Sequence, residues 1–114
     1  MSKKITDKAR LEHILEAIHK IEKYTDDVDY SLFTSSDITI DACFRNLEII
    51  GEATNNLSDD IFEMDTTVSW RSIVGLRNLI VHEYFAVDVD FIWKVINNEL
   101  PKLKVSITRI LSKI

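Results

Sequence analysis

Three side chains within residues 77–84, RNLIVHEY, could act together on a phosphate group. Arg77 keeps its positive charge and can hold two phosphate oxygens at once, while His82 titrates near neutral pH and can accept or donate a proton. Tyr84 adds a phenol two helical turns after Arg77, so these two residues would fall on nearly the same face of a helix. His82 would lie about 140° from Arg77 on that helix. The three groups could therefore converge if the helix ends or loosens near His82, or if a second chain completes the site.

Arg77 and His82 form a sufficient pair for cleaving RNA. RNA supplies its own nucleophile, the 2′-hydroxyl, so a protein has only to move protons and stabilise a negatively charged phosphorane. The product of such a transesterification is a 2′,3′-cyclic phosphate. Asn78 could orient either side chain by hydrogen bonding, and no carboxylate–histidine cluster with metal-ligand spacing lies near the motif. The motif therefore predicts a reaction that needs neither a metal nor a cofactor.

The same residues also have an ordinary structural interpretation. Arg77 could pair with Glu83 or Asp88, and His82 could cap a helix end without any catalytic role. Tyr84 could pack in the core with its hydroxyl satisfied. For an arbitrary protein this interpretation would be the better one, and the spacing of the motif does not by itself exclude it.

The spacing of apolar residues predicts the helices that position the motif. A first helix is predicted over residues 7–25, with Thr6 or Asp7 as its cap. Its predicted buried face consists of Leu11, Ile14, Leu15, Ile18 and Ile21. A second long helix is predicted to begin at Asp37 or Thr39.

The second half of the chain predicts two further helices. Residues 58–69 are polar and acidic, which is typical of a loop or a short helix, and Ser69 is the predicted N-cap of the motif helix. Asp88 precedes a final apolar seam, which Pro101 should kink or restart because it lacks an N–H donor. No run has the alternation of a strand. We therefore expect an all-α fold, an antiparallel bundle of four main helices with one or two short ones, in a single domain over residues 1–114.

The second long helix carries two residues with open interpretations. Gly51 would cost about 1 kcal/mol against alanine inside a helix, and the usual compensation is the close approach of another helix. Arg45 could simply pair with Glu48 three residues later, or it could line an active cleft. In the first helix, His13 and His19 lie six residues apart and face different directions, so we expect them on the surface.

Composition and charge restrict the class of protein. No apolar run is long enough to span a bilayer, and the first residues lack the apolar region of a secretion signal. The single cysteine, Cys43, has apolar neighbours, which favours a reduced, buried thiol in the cytoplasm. A formal net charge of −5 disfavours a general nucleic-acid binder. RNA cleavage would thus require a local basic cluster, for which Arg45, Arg71 and Arg77 are the candidates.

The motif and several other segments resemble one known family. Arg-x₄-His-x-Tyr at residues 77–84 is similar to the signature of the HepT-like toxin ribonucleases of the HEPN superfamily. The resemblance spans roughly residues 8 to 112 in one register. It includes RLEHI at 10–14, RNLEIIGEA at 45–53, WRSIVGLRN at 70–78, Val87-Asp88, Trp93 and Leu100-Pro101. Glu83 departs from the pattern, since many relatives carry glycine there, and an acid beside His82 could tune its pKa or repel RNA.

The resemblance implies an activity, an assembly and a mode of control. It implies a cytoplasmic endoribonuclease toxin that acts as a two-fold homodimer, with Arg77 and His82 as catalytic residues. It also implies a cognate MntA-like nucleotidyltransferase antitoxin that transfers adenylate to Tyr84, placing bulk and negative charge beside the RNA site. The alternative is a non-enzymatic helical interaction module that partners such a nucleotidyltransferase and keeps the motif for structure or for modification.

Overall fold

The computed structural model describes residues 6–78 and 88–114, and every regular element in these two ranges is helical. The helices are α1 (Asp7–Tyr24), α2 (Tyr30–Thr34), α3 (Asp37–Asn55), α4 (Asp59–Met64), α5 (Trp70–Gly75), α6 (Val89–Lys94) and α7 (Leu100–Leu111). A π-helical turn, Val95–Glu99, joins α6 to α7 in one continuous run. The predicted all-α fold is confirmed. In the two described ranges α1, α3 and the run from Val89 to Leu111 are long, whereas α2, α4 and α5 span five or six residues each.

Side chains at two of the predicted positions, Thr6 and Asp88, cap helices. The hydroxyl of Thr6 accepts a hydrogen bond from the N–H of Ala9 at 3.1 Å, and Asp88 accepts one from Phe91 at 3.0 Å. Such bonds satisfy amide groups that have no partner inside the helix. Ser69 occupies the predicted N-cap position of α5 but makes no capping bond; its hydroxyl lies 2.8 Å from that of Ser72 instead.

Helices α1 and α3 pack against each other more extensively than any other pair of described helices and contribute much of the core. They run antiparallel, because Asp7 at the start of α1 accepts hydrogen bonds from the N–H and hydroxyl of Ser58, just beyond α3, at 3.1 and 2.6 Å. Cys43 of α3 is fully buried, as predicted, and burial raises the pKa of its thiol to about 11. The thiol is therefore protonated and unreactive at neutral pH.

Next to Pro101 the final helical run changes its hydrogen-bond pattern without breaking, so the predicted restart is a new α-helical segment, α7, within one continuous run. The N–H of Leu100 bonds to the carbonyl of Val95 five residues back, which is the π-helical pattern, and Pro101 then falls in the first turn of α7, where no amide donor is needed. Lys104 of α7 pairs with Glu22 of α1 at 3.0 Å. Within the two described ranges, no helix has the length and apolar character needed to cross a membrane.

A buried carboxylate, Asp65, fixes the start of α5. It accepts hydrogen bonds from the N–H and hydroxyl of Thr67 at 3.0 and 2.5 Å and contacts Arg109 of α7 at 3.3 Å, while its backbone carbonyl accepts from the Trp70 indole at 2.8 Å. The Thr67 hydroxyl, followed by that of Ser106, holds the pKa of Asp65 below its ordinary value of 3.8. The buried Ser106 hydroxyl lowers the pKa of Asp65 by lying close to it, because it makes no hydrogen bond with the described residues. Asp65 thus connects α5 to α7.

Candidate active site

The motif arginine lies just past the end of α5. Regular α-helix stops at Gly75, where the N–H of Leu76 bonds to carbonyls three and two residues back, and residues 76–78 form one 3₁₀ turn. The helix therefore tightens before Arg77, and the change considered near His82 lies outside the described residues. The segment that carries Glu83, His82 and Tyr84 lies outside the described residues, so their proposed roles stay predictions.

Gly51 allows the backbone at Arg77 to rest directly on α3. Gly51 is buried, and a Cβ placed on it would lie 2.3 Å from the backbone nitrogen of Arg77 and 2.9 Å from the carbonyl carbon of Leu76. Real Cβ atoms do not come so close to backbone atoms. The close approach predicted for Gly51 is confirmed, and the segment that approaches is the motif itself. Helix α3 thereby sets the position of Arg77.

The side chain of Arg77 lines an open groove of about 650 Å³ between α1 and α3. Arg45 lines the same groove, so the structure brings two of the three candidate cations together and leaves Arg71 outside. No ion pair joins Arg45 to Glu48 within the described ranges, and the simple surface pair considered from the sequence is not observed. Asn78 is exposed next to Arg77, and its side chain makes no hydrogen bond to the described residues.

The ion-pair partner of Arg77 in the described part of the chain is Glu52, which the sequence analysis did not single out. The Arg77 Nη1 to Glu52 Oε2 distance is 4.0 Å, and the two side chains are 40% and 63% exposed. Exposed pairs of this kind stabilise proteins by about 0–1 kcal/mol, so an incoming phosphate could replace Glu52 at little cost. Asn56 donates to Glu52 Oε1 at 3.3 Å and holds the carboxylate in place. The sequence held one indication of this ion pair. Glu52 directly follows Gly51, the residue at which another segment was expected to approach α3.

The groove is more basic than the protein that contains it. Its charged lining consists of Arg10, Lys20, Arg45 and Arg77 against Glu16, Glu48 and Glu52. The whole chain has a formal net charge of −5. The groove thus has an excess of one positive charge in a protein whose net charge is negative. His13, which the sequence analysis placed only on the surface, also lines the groove.

Comparison with known proteins gave one family and several relatives. The model of a family described as ribonuclease HepT-like matches residues 14–110. A candidate RNase of Methanocaldococcus jannaschii is 39% identical over 97 residues, which cover 85% of this chain and 89% of that protein. A probable ribonuclease HepT of Thermococcus cleftensis is 38% identical over 101 residues, covering 89% and 92%. A candidate RNase of Caldanaerobacter subterraneus is 35% identical over 108 residues, covering 95% and 96%. No solved structure gave a significant match.

Proposed function

We propose, from the premise that this chain belongs to the HepT-like ribonuclease family, that it is a metal-independent endoribonuclease toxin. The observation that carries the proposal is the groove between α1 and α3, where Arg77 rests on Gly51 and shares a basic surface with Arg45. A guanidinium at the rim of an open groove can reach a phosphate in a single strand of RNA, and its planar donors fit two phosphate oxygens.

The proposed reaction is an internal transesterification. The 2′-oxygen of one nucleotide attacks the adjacent phosphorus, and the bond from phosphorus to the 5′-oxygen of the next nucleotide breaks. One proton leaves the 2′-hydroxyl and one is delivered to the departing 5′-oxygen, both transfers being within the capacity of imidazole. The imidazole of His82 carries out these two proton transfers. Arg77 neutralises the negative charge that develops on the phosphorane oxygens. Asn78, adjacent to Arg77, orients the arginine or the histidine.

Assembly and control follow from the same site. Each chain supplies one Arg77 and one His82, so a two-fold dimer that pairs the motifs would build a composite cleft with both residues duplicated. A partner nucleotidyltransferase of the MntA type would transfer adenylate to Tyr84. The attached group would fill the cleft and offer its own phosphate to Arg77, which excludes RNA by occupancy and by charge.

The test compares the parent chain with its Arg77→Ala and His82→Ala variants on a fluorescently labelled single-stranded RNA. We expect both variants to lose cleavage and growth inhibition while the helical circular dichroism signal stays intact. We also expect the parent to remain active in EDTA and to release products that end in a 2′,3′-cyclic phosphate, as measured by mass spectrometry. The Arg71→Ala variant is the matched control, because Arg71 is exposed outside the groove.

Each part of the proposal would be contradicted by a different result. A fully active His82→Ala variant would remove the catalytic assignment. Activity that vanishes with chelator and returns with magnesium or manganese would exclude the metal-independent mechanism. A parent that never cleaves RNA, yet binds the nucleotidyltransferase, would identify the chain as an interaction module.

A further inference from the structure

The cations of the groove lie at two separate levels along the helices. Arg77 sits beside Glu52 of α3, whereas Arg45 is seven residues earlier on the same helix. At a rise of 1.5 Å per residue, this places Arg45 about 10 Å away along the helix axis. Side chains on a helix lean toward its N-terminus, so Arg45 points away from the level of Arg77. The two guanidinium groups are therefore placed to contact different phosphates.

Helix α1 adds a second cation near the level of Arg45. The bond between Asp7 and Ser58 brings the start of α1 next to the end of α3. Lys20 lies thirteen residues after Asp7 on α1, and Arg45 lies ten residues before Asn55, where α3 ends. At 1.5 Å per residue these positions differ by about 5 Å, so Lys20 and Arg45 stand on opposite walls of the groove within about one helical turn of the same level.

The charges at this level are available to an anion. No ion pair joins Arg45 to another described residue, and Lys20 is paired only with Glu16 one turn earlier on α1, at 3.5 Å with both side chains more than half exposed. A pair this exposed is weak, so a phosphate can take the place of Glu16. Glu48 lines the same groove and offsets part of the positive charge. The level thus offers a moderate site for one phosphate.

We propose that the α1–α3 groove is a binding track for the RNA backbone, in which Arg45 and Lys20 hold a phosphate that neighbours the one cleaved at Arg77. This inference rests on the proposed ribonuclease function and extends it to the length of RNA that is recognised. It gives Arg45 a role in holding the substrate, distinct from the chemical step. The substrate of the proposed track is a single strand, with one row of phosphates along the groove.

The test varies the number of phosphates in the substrate. A dinucleoside monophosphate carries only the phosphate to be cleaved, whereas an oligonucleotide also reaches the second level. For Arg45→Ala and for Lys20→Ala we expect kcat/KM to fall about fivefold more on the oligonucleotide than on the dinucleotide, the ratio for one exposed ionic contact. We expect the excess to lie in KM, and the slope of log affinity against log salt to decrease by about 0.7. Arg71→Ala is the control and should leave both substrates unaffected.

Several results would overturn the track. Equal losses on both substrates would mean that Arg45 acts at the cleaved phosphate or through the fold, and an equal effect of Arg71→Ala would mean diffuse attraction. A change in oligomeric mass on Arg45→Ala, measured by light scattering, would mean that the groove contacts a second copy of the chain.

A binding experiment separates this proposal from the ribonuclease function. Fluorescence anisotropy of a labelled single-stranded oligonucleotide needs no cleavage. If the parent cleaves nothing but Arg45→Ala still lowers the salt slope, the track stands and the enzymatic function fails. If the parent cleaves RNA and Arg45→Ala binds with an unchanged slope, the track fails and the enzyme remains.

Discussion

Replacing Gly51 by alanine should separate catalysis from folding in this protein. The added Cβ would lie 2.3 Å from the Arg77 nitrogen, and ordinary contact begins near 3.4 Å. The backbone at Arg77 must therefore retreat from α3 by about 1 Å. A misplacement of that size in a catalytic group costs about a hundredfold in rate, so we expect a loss of that order in kcat on RNA.

The effect of the same change on stability should be small, because two contributions oppose each other. Alanine is favoured over glycine inside a helix by about 1 kcal/mol, whereas overpacking in a core costs about 1–3 kcal/mol. The free energy of unfolding should then fall by about 0–2 kcal/mol, and the melting temperature by a few degrees. Thermal unfolding followed by circular dichroism, together with RNA cleavage rates, measures both quantities.

The matched control is Gly75→Ala, the same substitution at the other glycine of the chain. Nothing lies within 4 Å of a Cβ at Gly75, and its φ angle is not positive. This variant should keep the parent's cleavage rate and gain about 0.4–1 kcal/mol of stability. If Gly51→Ala cleaved RNA at the parent's rate with an unchanged melting temperature, the idea that α3 positions Arg77 would be refuted.

Two further predictions concern Asp65 and Tyr84. The depressed pKa of Asp65 means that its stabilising contribution is present above about pH 3.8 and is lost as the pH falls through its lower folded-state pKa. Asp65→Asn should therefore cost about 1–3 kcal/mol at pH 7 and should show a smaller drop in melting temperature on acidification than the parent; an equal drop would contradict the assignment. Tyr84→Phe should remain toxic and escape neutralisation by the nucleotidyltransferase, and intact-mass spectrometry after incubation with ATP and the partner should show adenylate on the parent alone. Equal labelling of the variant would leave Tyr84 without a regulatory role.

Features that depend only on residues close together in the sequence were predictable from it. The caps at Thr6 and Asp88 and the restart at Pro101 each follow from the chemistry of one short segment, and the structure confirms them. The close approach at Gly51 was also predictable, because a glycine inside a helix carries a cost that packing has to offset. The sequence did not indicate which segment would approach.

Features that depend on the relative placement of helices were not predictable in this way. The contact between Glu52 and Arg77 joins α3 to the turn after α5, and the sequence offered Glu83 and Asp88 as equally reasonable partners. Arg45 could be assigned to the groove only once α1 and α3 were seen side by side. The early end of α5 at Gly75 was likewise missed, since the apolar pattern of the motif continues past it.

The hydrogen bonds between Asp7 and Ser58 have a consequence for how the groove can respond to a ligand. They keep α1 in register with α3 at one end of the groove. Glu52 and Arg45 are seven residues apart on α3, so the interval between the two cationic levels is fixed at about 10 Å by the rise of that helix. A flexible binding loop could adjust its span to the molecule it meets, but a helix cannot. The adjustment must come from the bound strand, which has to stretch or fold until its own repeat matches the helices. If the proposed track binds RNA, strands too stiff to do so would be rejected by their shape before any base is read.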